Sequence, residues 1–502
     1  MNMRLIFRLV ICVLSLSTAV ALVKTWAYAG GPLFLVNNKP VTWPQDPSML
    51  PVQGGPQNLP TVDAQGNVLY RVDAGPLGPL SNQQATAIVD HIFHQYSSIP
   101  TSTLRLKNAG SIVDPITGQS GVDVTASNFG EFVSNTPTFN NPIIFDSKGD
   151  IIGDDLILGE FGPIAITPAG FQDEGFVALN GQSLTKNIIG TTSFIGVFQH
   201  EFGHFAAVLD HEQINGIVGD GVLQEAGFTS GQAFDLFAPF TETLYPFVYP
   251  APSDSQLGAQ FPDSGFFIAT LDMDSANAVS NLYPTPSYLS SFGSIEGTVS
   301  VPAGDANLPL QGINVIARQM PDGAVYPPPP GTLAYPSPPT LDSFGIPAAP
   351  PFQTATAPLS IVSSAVTGEQ FGLGTYKISG LPPGNYLVQL QTIDPQALGG
   401  SSIGQLVAGG AARRQVILPT LEEFYNGSTD SNSPSTFTKV AVTAGQNTSG
   451  IDFFVNGLSQ TLTPVTQTPG NISKPSAQLV SVPSEITGSI TVNDPGKLKV
   501  NL

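Results

Sequence analysis

Cysteine is nearly absent: the 502 residues contain one, Cys12. Beyond that position the chain has no thiol. It therefore forms no internal disulfide, has no thiolate nucleophile and has no cysteine with which a flanking segment could block a metal. Charge is also scarce, at 11% Asp, Glu, Lys and Arg, and it is one-sided, with a formal net charge of −20. Such a surface argues against nucleic acid and anionic membrane as partners. Long apolar runs are missing except for Leu9 to Val23, which follows Arg4 and Arg8 and leads into Ala27-Tyr28-Ala29. A positive start, a short apolar core and a small-x-small site predict a cleaved secretory signal over residues 1–29. The expected location is secreted or cell envelope, with no stable membrane span after signal cleavage.

What is abundant is glycine (52) and proline (46), the composition of β-rich structure with many turns. The length predicts more than one domain. Residues 30–65, Pro/Gly-rich and without periodicity, read as an extended N-terminal arm. Val68-Leu69-Tyr70-Arg71-Val72 alternates as a strand does, and Ser81-Asn82 caps a helix with apolar Ala85, Ile88, Ile92 and Phe93. His91 and His94 on that helix have no acidic partner at ligand spacing and read as structural or exposed. Residues 141–159 read as strand, acidic turn and strand. Asp146, Asp150, Asp154 and Asp155 are hard oxygen donors that Ca²⁺ would accept, but their spacing fits no EF-hand and solvated turn aspartates are the simpler reading. Residues 271–284 predict a capped helix stopped by Pro284, and Thr285 to Ser291 a linker.

A β-pattern then runs over 293–457. It is interrupted by a Pro-rich insertion at 321–360 that cannot pair as a central strand. Residues 375–393 read as a hairpin around Pro382-Pro383-Gly384, and Glu422 to Gly427 as a surface loop. Residues 458–502 form a low-complexity tail.

Three of the five histidines fall within Phe198 to Gln213, FQHEFGHFAAVLDHEQ. His200 and His204 are four apart, so a helix sets them one turn apart on one face, where both imidazoles can meet one Zn²⁺. Glu201 points about 100° around the helix. There it reaches a water in an open metal position without being a ligand, the placement of a general base. H-E-x-x-H on a helix is a fairly specific pattern, and the plain alternative is a packed helix carrying histidines. For a third ligand, His211 lies about 10.5 Å along an unbroken helix from His204. It can join only if the helix ends first. No glycine is present to make a left-handed turn, so Ala207 or Val208 must make it. Asp210 and Glu225 are the other candidates.

The stretch HEFGHFAAVLDH resembles the metzincin signature H-E-x-x-H-x-x-G-x-x-H, especially the matrixin branch. It departs by one extra residue and by Ala-Ala-Val where that pattern has a glycine. The resemblance implies an α+β metzincin-like zinc protease domain over 66–284 (a mixed sheet plus active-site helix). It implies His211 as third ligand, with Asp210 in its place if register is counted strictly. Thr243-Leu244-Tyr245-Pro246 is similar to the Met-turn, with Leu244 in the methionine position, and Asp274 to Tyr283 resembles the closing helix. The second half resembles the carboxypeptidase regulatory-like module, a prealbumin-type β-sandwich, through Ile295 to Val299, Gly380 to Tyr386 and Ile451-Asp452-Phe453.

The expectation is a secreted, monomeric zinc metalloendopeptidase acting on protein or peptide. Its metal ligands are His200, His204 and His211, and a zinc-activated water is deprotonated by Glu201. The competing expectation is a non-catalytic exported surface or adhesion protein with a decayed protease domain and a binding β-sandwich.

Overall fold

The computed structural model describes residues 32–33, 35–36, 39–50, 59–134, 138–211, 228–245, 248–303, 306–310, 313–326, 361–367, 374–391, 422–427, 429–431, 433, 435–456 and the strands 463–466 and 484–487. The expected signal segment, Glu225, Pro246 and most of the Pro-rich insertion and tail lie outside these residues. The described part mixes helices with several sheets and is β-rich in its C-terminal half, compatible with the α+β class expected.

The N-terminal part is built on a five-stranded sheet. Its strands are β1 (Val68–Val72), β2 (Leu106–Ser111), β3 (Pro142–Asp146), β4 (Gly159–Ile166) and β5 (Gln172–Asn180). Their order is β2-β1-β3-β5-β4. All pairs are parallel except β5–β4, so β4 is an antiparallel edge strand. Helix α1 (Asn82–Ser97) starts as its sequence dictates: Ser81 and Gln84 form a reciprocal capping box, and Ala85, Ile88, Ile92 and Phe93 are buried. Helix α2 (Thr191–Ala207) carries the histidine motif and is buried almost throughout. The Phe93 ring stacks on Phe202 at 4.2 Å, which joins the two helices.

Helix α3 (Ser230–Phe237) follows, then α4 (Met273–Leu282), capped by the Asp272 side chain. The expected linker contains a further short helix, α5 (Tyr288–Ser291), because Tyr288 is buried and its hydroxyl reaches Asn281 Oδ1 at 3.1 Å.

In the C-terminal part, one sheet is formed by β6 (Gly293–Ala303) with β9 (Thr375–Leu381), β14 (Asn447–Thr448), β15 (Phe453–Phe454) and the short antiparallel strand Ala306–Pro309. The other runs β8-β7-β10-β11-β12, with β13 beside β10. Here β7 is Asn314–Gln319, β8 is Ile361–Val366, β10 is Gly384–Gln391, β11 is Glu422–Asn426, β12 is Thr429–Ser431 and β13 is Val440–Val442. Ile295, Tyr376 and Ile378 of one sheet share a buried cluster with Val315, Val388 and Leu390 of the other. The sequence expectation is corrected in two places. The strands flanking Pro382-Pro383 do not pair as a hairpin: β9 pairs with β6 and β10 with β7, so the turn carries the chain from one sheet to the other. Glu422 and Glu423 are not on a surface loop but lie buried in β11. Glu422 is tolerated there because Gln389 Nε2 (2.8 Å), Gln391 Nε2 (2.5 Å) and Tyr326 Oη (3.1 Å) donate to it.

The two parts are joined through α4. Asp274 accepts the Ser364 backbone N–H at 3.0 Å, and Asn277 Nδ2 donates to Val362 O at 2.6 Å. Phe228, Leu236 and Phe240 pack with Met320, Leu387 and Phe424 across the same junction.

Gly196 tests how closely α2 is packed. In an ordinary helix, alanine for glycine stabilises by about 1 kcal/mol. Here a Cβ would lie 2.2 Å from Gly265 O and 2.6 Å from Ile268 Cγ1. Gly196→Ala is therefore expected to lower the thermal unfolding midpoint, by about 2–4 °C for each kcal/mol lost. A raised midpoint would contradict this packing.

Candidate metal centre

Helix α2 brings His200 and His204 to one buried face, and the chain then turns sharply. The helix ends at Ala207, and Val208 adopts the left-handed conformation with φ 55° and ψ 43°. For a β-branched residue this is an outlier that costs about 1–2 kcal/mol. The turn reverses the chain far enough to bring His211 back. The His211 ring centroid lies 4.5 Å from that of His204 and 5.2 Å from that of His200. One ligand nitrogen from each of the three lies within 4.8 Å of the others. The geometry therefore brings His200, His204 and His211 together through the glycine-free turn that the third ligand requires. Asp210 is next to them but outside the group: its Oδ1 accepts the backbone N–H of His211 at 2.7 Å and lies 4.0 Å from His211 Nδ1. Glu225 lies outside the described residues. His91 and His94 do not join the group, and His94 Nε2 lies 3.3 Å from Ser98 Oγ.

The hydrogen bonds assign the tautomers. His200 Nδ1 lies 3.1 Å from Thr243 O and His204 Nδ1 lies 2.7 Å from Leu209 O. A carbonyl only accepts, so each Nδ1 carries the proton. Burial, reinforced by His204, holds the His200 pKa down to about 3, and burial holds that of His204 at about 4. The His211 pKa lies well below the usual histidine value, through burial and then the other two rings. A neutral imidazole with Nδ1–H has a bare Nε2. The His204 and His200 Nε2 atoms face each other at 3.1 Å. Two facing lone pairs repel unless a cation sits between them. Two nitrogens bound to one tetrahedral Zn²⁺ at about 2.0–2.1 Å lie about 3.3 Å apart, so the residues fit a metal ion. Donation of the second ring nitrogen to a backbone carbonyl is the usual support for a ligating histidine.

That support is itself fixed. Thr243 N–H donates to Asp272 Oδ2 at 2.8 Å, Asp272 N–H donates to Thr243 Oγ1 at 3.0 Å, and Thr243 Oγ1 donates to Thr270 O at 3.0 Å. Leu244 is fully buried against Gly203, where a Cβ would lie 2.5 Å from Leu244 Cδ2.

Glu201 lies beside the edge strand. A Cβ on Gly159 of β4 would come within 2.6 Å of Glu201 Cγ, so glycine leaves the carboxylate its place. Burial, with the charge of Glu160 adding, pushes the Glu201 pKa up to about 8, and the Phe161 backbone N–H opposes this. A divalent cation at the histidines would favour the ionised form.

The calcium reading gains no support from the acidic turn. Asp146 accepts the Ile151 and Ile152 backbone N–H groups at 3.0 and 2.8 Å, Asp154 accepts that of Leu156 at 3.0 Å, and Asp155 pairs with Lys186 at 2.5 Å. Among the described residues these acids do not gather at ligand distances.

The sequence pattern singled out the three histidines and Glu201 but missed Leu209 O, Gly159 and the role of Thr243 O. Carbonyls leave no residue-type signal. Gly159, the first glycine of ILGEFG, was the one visible cue.

Neither a protein-family model nor any curated protein matches the chain.

Replacing His211 by Ala is expected to weaken metal binding by at least about 100-fold, beyond what loss of a supporting bond alone does. Asp210→Asn, which keeps the oxygen acceptor, is expected to stay within a few fold. Isothermal titration of the metal-stripped protein with Zn²⁺ reads both, and the reverse ranking would make Asp210 the ligand.

Proposed function

We propose that the chain is an exported zinc metalloendopeptidase with a metzincin-like N-terminal part and a C-terminal carboxypeptidase regulatory-like sandwich. The observation that carries this reading is the convergence of three neutral imidazoles beside a carboxylate that is not among them. His200, His204 and His211 would hold the ion. Bound there, Zn²⁺ would polarise a scissile carbonyl and acidify a water.

Glu201 takes the proton from the attacking water and returns it to the leaving amine. Its place against Gly159 and the Phe161 N–H fixes the carboxylate on the side of the histidines where β4 runs. Strand β4 is the edge of its sheet, and an extended peptide can add to such an edge through main-chain hydrogen bonds. That favours a peptide substrate over a small ester or amide. The Phe161 ring, 6.2 Å from that of His204, supplies apolar surface beside the histidines. No described helix is long and apolar enough to cross a membrane. The sandwich acts as a spacing or binding module fixed to α4.

Glu201→Gln is expected to leave zinc bound and to lower cleavage of an unfolded protein substrate by about 10²–10⁴-fold. Retained cleavage by the variant would remove the role given to Glu201. Zinc bound by a wild-type chain that cleaves nothing would favour the non-catalytic surface protein.

A further inference from the structure

Helix α2 ends with carbonyls that no helical N–H can reach. Donors from the N-terminal arm meet them. Trp43 Nε1 donates to Phe205 O at 2.8 Å, and Leu33 N–H donates to Val208 O at 2.7 Å. Pro32 forms a β-bridge with Leu209. Trp43 is 1% exposed, its ring centroid is 5.5 Å from that of Phe205, and its backbone N–H donates to Tyr283 Oη at 2.8 Å. The arm is thus anchored on the body at one end and bonded to the helix exit at the other.

The exit needs such help. Glycine rests in the left-handed region unaided, whereas a valine stays there only when its surroundings over-determine it. The same turn carries the Leu209 carbonyl that His204 Nδ1 uses at 2.7 Å, and it returns His211 to the other two rings. Two of the three imidazoles therefore depend on a conformation that the arm clamps.

We propose that the arm is a strap. Leu33 and Trp43 hold the Val208 turn and thereby position His204 and His211, which makes the arm a working part of the metal centre and not a segment that blocks it. This deepens the metal-centre reading and rests on it. Among the described residues, the arm bonds to the carbonyl end of α2, to Tyr283 and to the turn at Gly170–Gln172, whereas an inhibitory segment would bond across the histidines.

The test uses the full chain and Co²⁺, whose d–d absorption reports coordination geometry separately from cleavage. Leu33→Pro removes the N–H and keeps an apolar residue, and Val208→Gly removes the strain. Leu33→Pro is expected to weaken Co²⁺ binding by about tenfold or more and to alter the d–d bands. Adding Val208→Gly is expected to restore affinity to within about threefold of wild type, since glycine holds the turn without the strap. A general loss of packing would not be restored in this way. Should Leu33→Pro fail to fold, Trp43→Phe, which keeps a ring but removes the indole N–H, is expected to show the same Val208→Gly rescue. Wild-type affinity and spectrum in Leu33→Pro, a loss that Val208→Gly does not restore, or a rise in cleavage on cutting the strap would each overturn the proposal and leave the metal centre standing. A wild-type chain that binds no Co²⁺ overturns the metal reading and the strap with it.

Discussion

Two imidazole nitrogens with bare lone pairs face each other at 3.1 Å inside a nearly closed core, and the rest of the structure is organised around that repulsion. Neither ring is free to turn away, because each donates its Nδ1–H to a backbone carbonyl. Neither can take up a second proton at neutral pH, because burial holds both pKa values far below 7. A bare pair of this kind costs free energy in an apolar surround, and a cation relieves the cost. The third imidazole, His211, brings a ligand nitrogen within 4.8 Å of one from each of the other two.

The surrounding elements serve this arrangement in distinct ways. The phenylalanines of α2 pack it against α1 and the sheet, which fixes where the histidine face points. The loop from Thr243 to Asp272 supplies one carbonyl, and the cap of α4 pins that loop. Because α4 is also bonded to Ser364 and Val362, the C-terminal sheets bear on the element that supports His200. The turn at Val208 supplies the other carbonyl. Edge strand β4 places Gly159 against Glu201, so the candidate base and the surface offered to a peptide belong to one strand.

Part of this was legible in the residues. Histidines four apart have one arrangement on a helix. The need for His211 to return required the helix to stop without glycine, which pointed to Ala207 or Val208, and Val208 makes the turn. The Ser81 capping box and the buried face of α1 follow from local pattern alone. The rest depends on partners distant in sequence. Thr243 O and Leu209 O act through groups every residue has, so no spacing reveals them. Pro382-Pro383 has the look of a hairpin turn, but which strands pair is decided by β6 and β7, many residues away. Glu422 and Glu423 have the composition of a surface, and donors distant in sequence make their burial tolerable: the glutamines of β10 and Tyr326 for Glu422, and the Asn456 backbone N–H, at 3.0 Å, for Glu423. The arm's contact with the end of α2 left no trace in local pattern.

X-ray absorption at the zinc edge of the purified protein tests the central claim most directly. The account requires about one zinc per chain with three imidazole nitrogens at about 2.0–2.1 Å and one further oxygen ligand. Protein that takes up no stoichiometric metal, or an edge spectrum with fewer than three imidazoles around the ion, would contradict it.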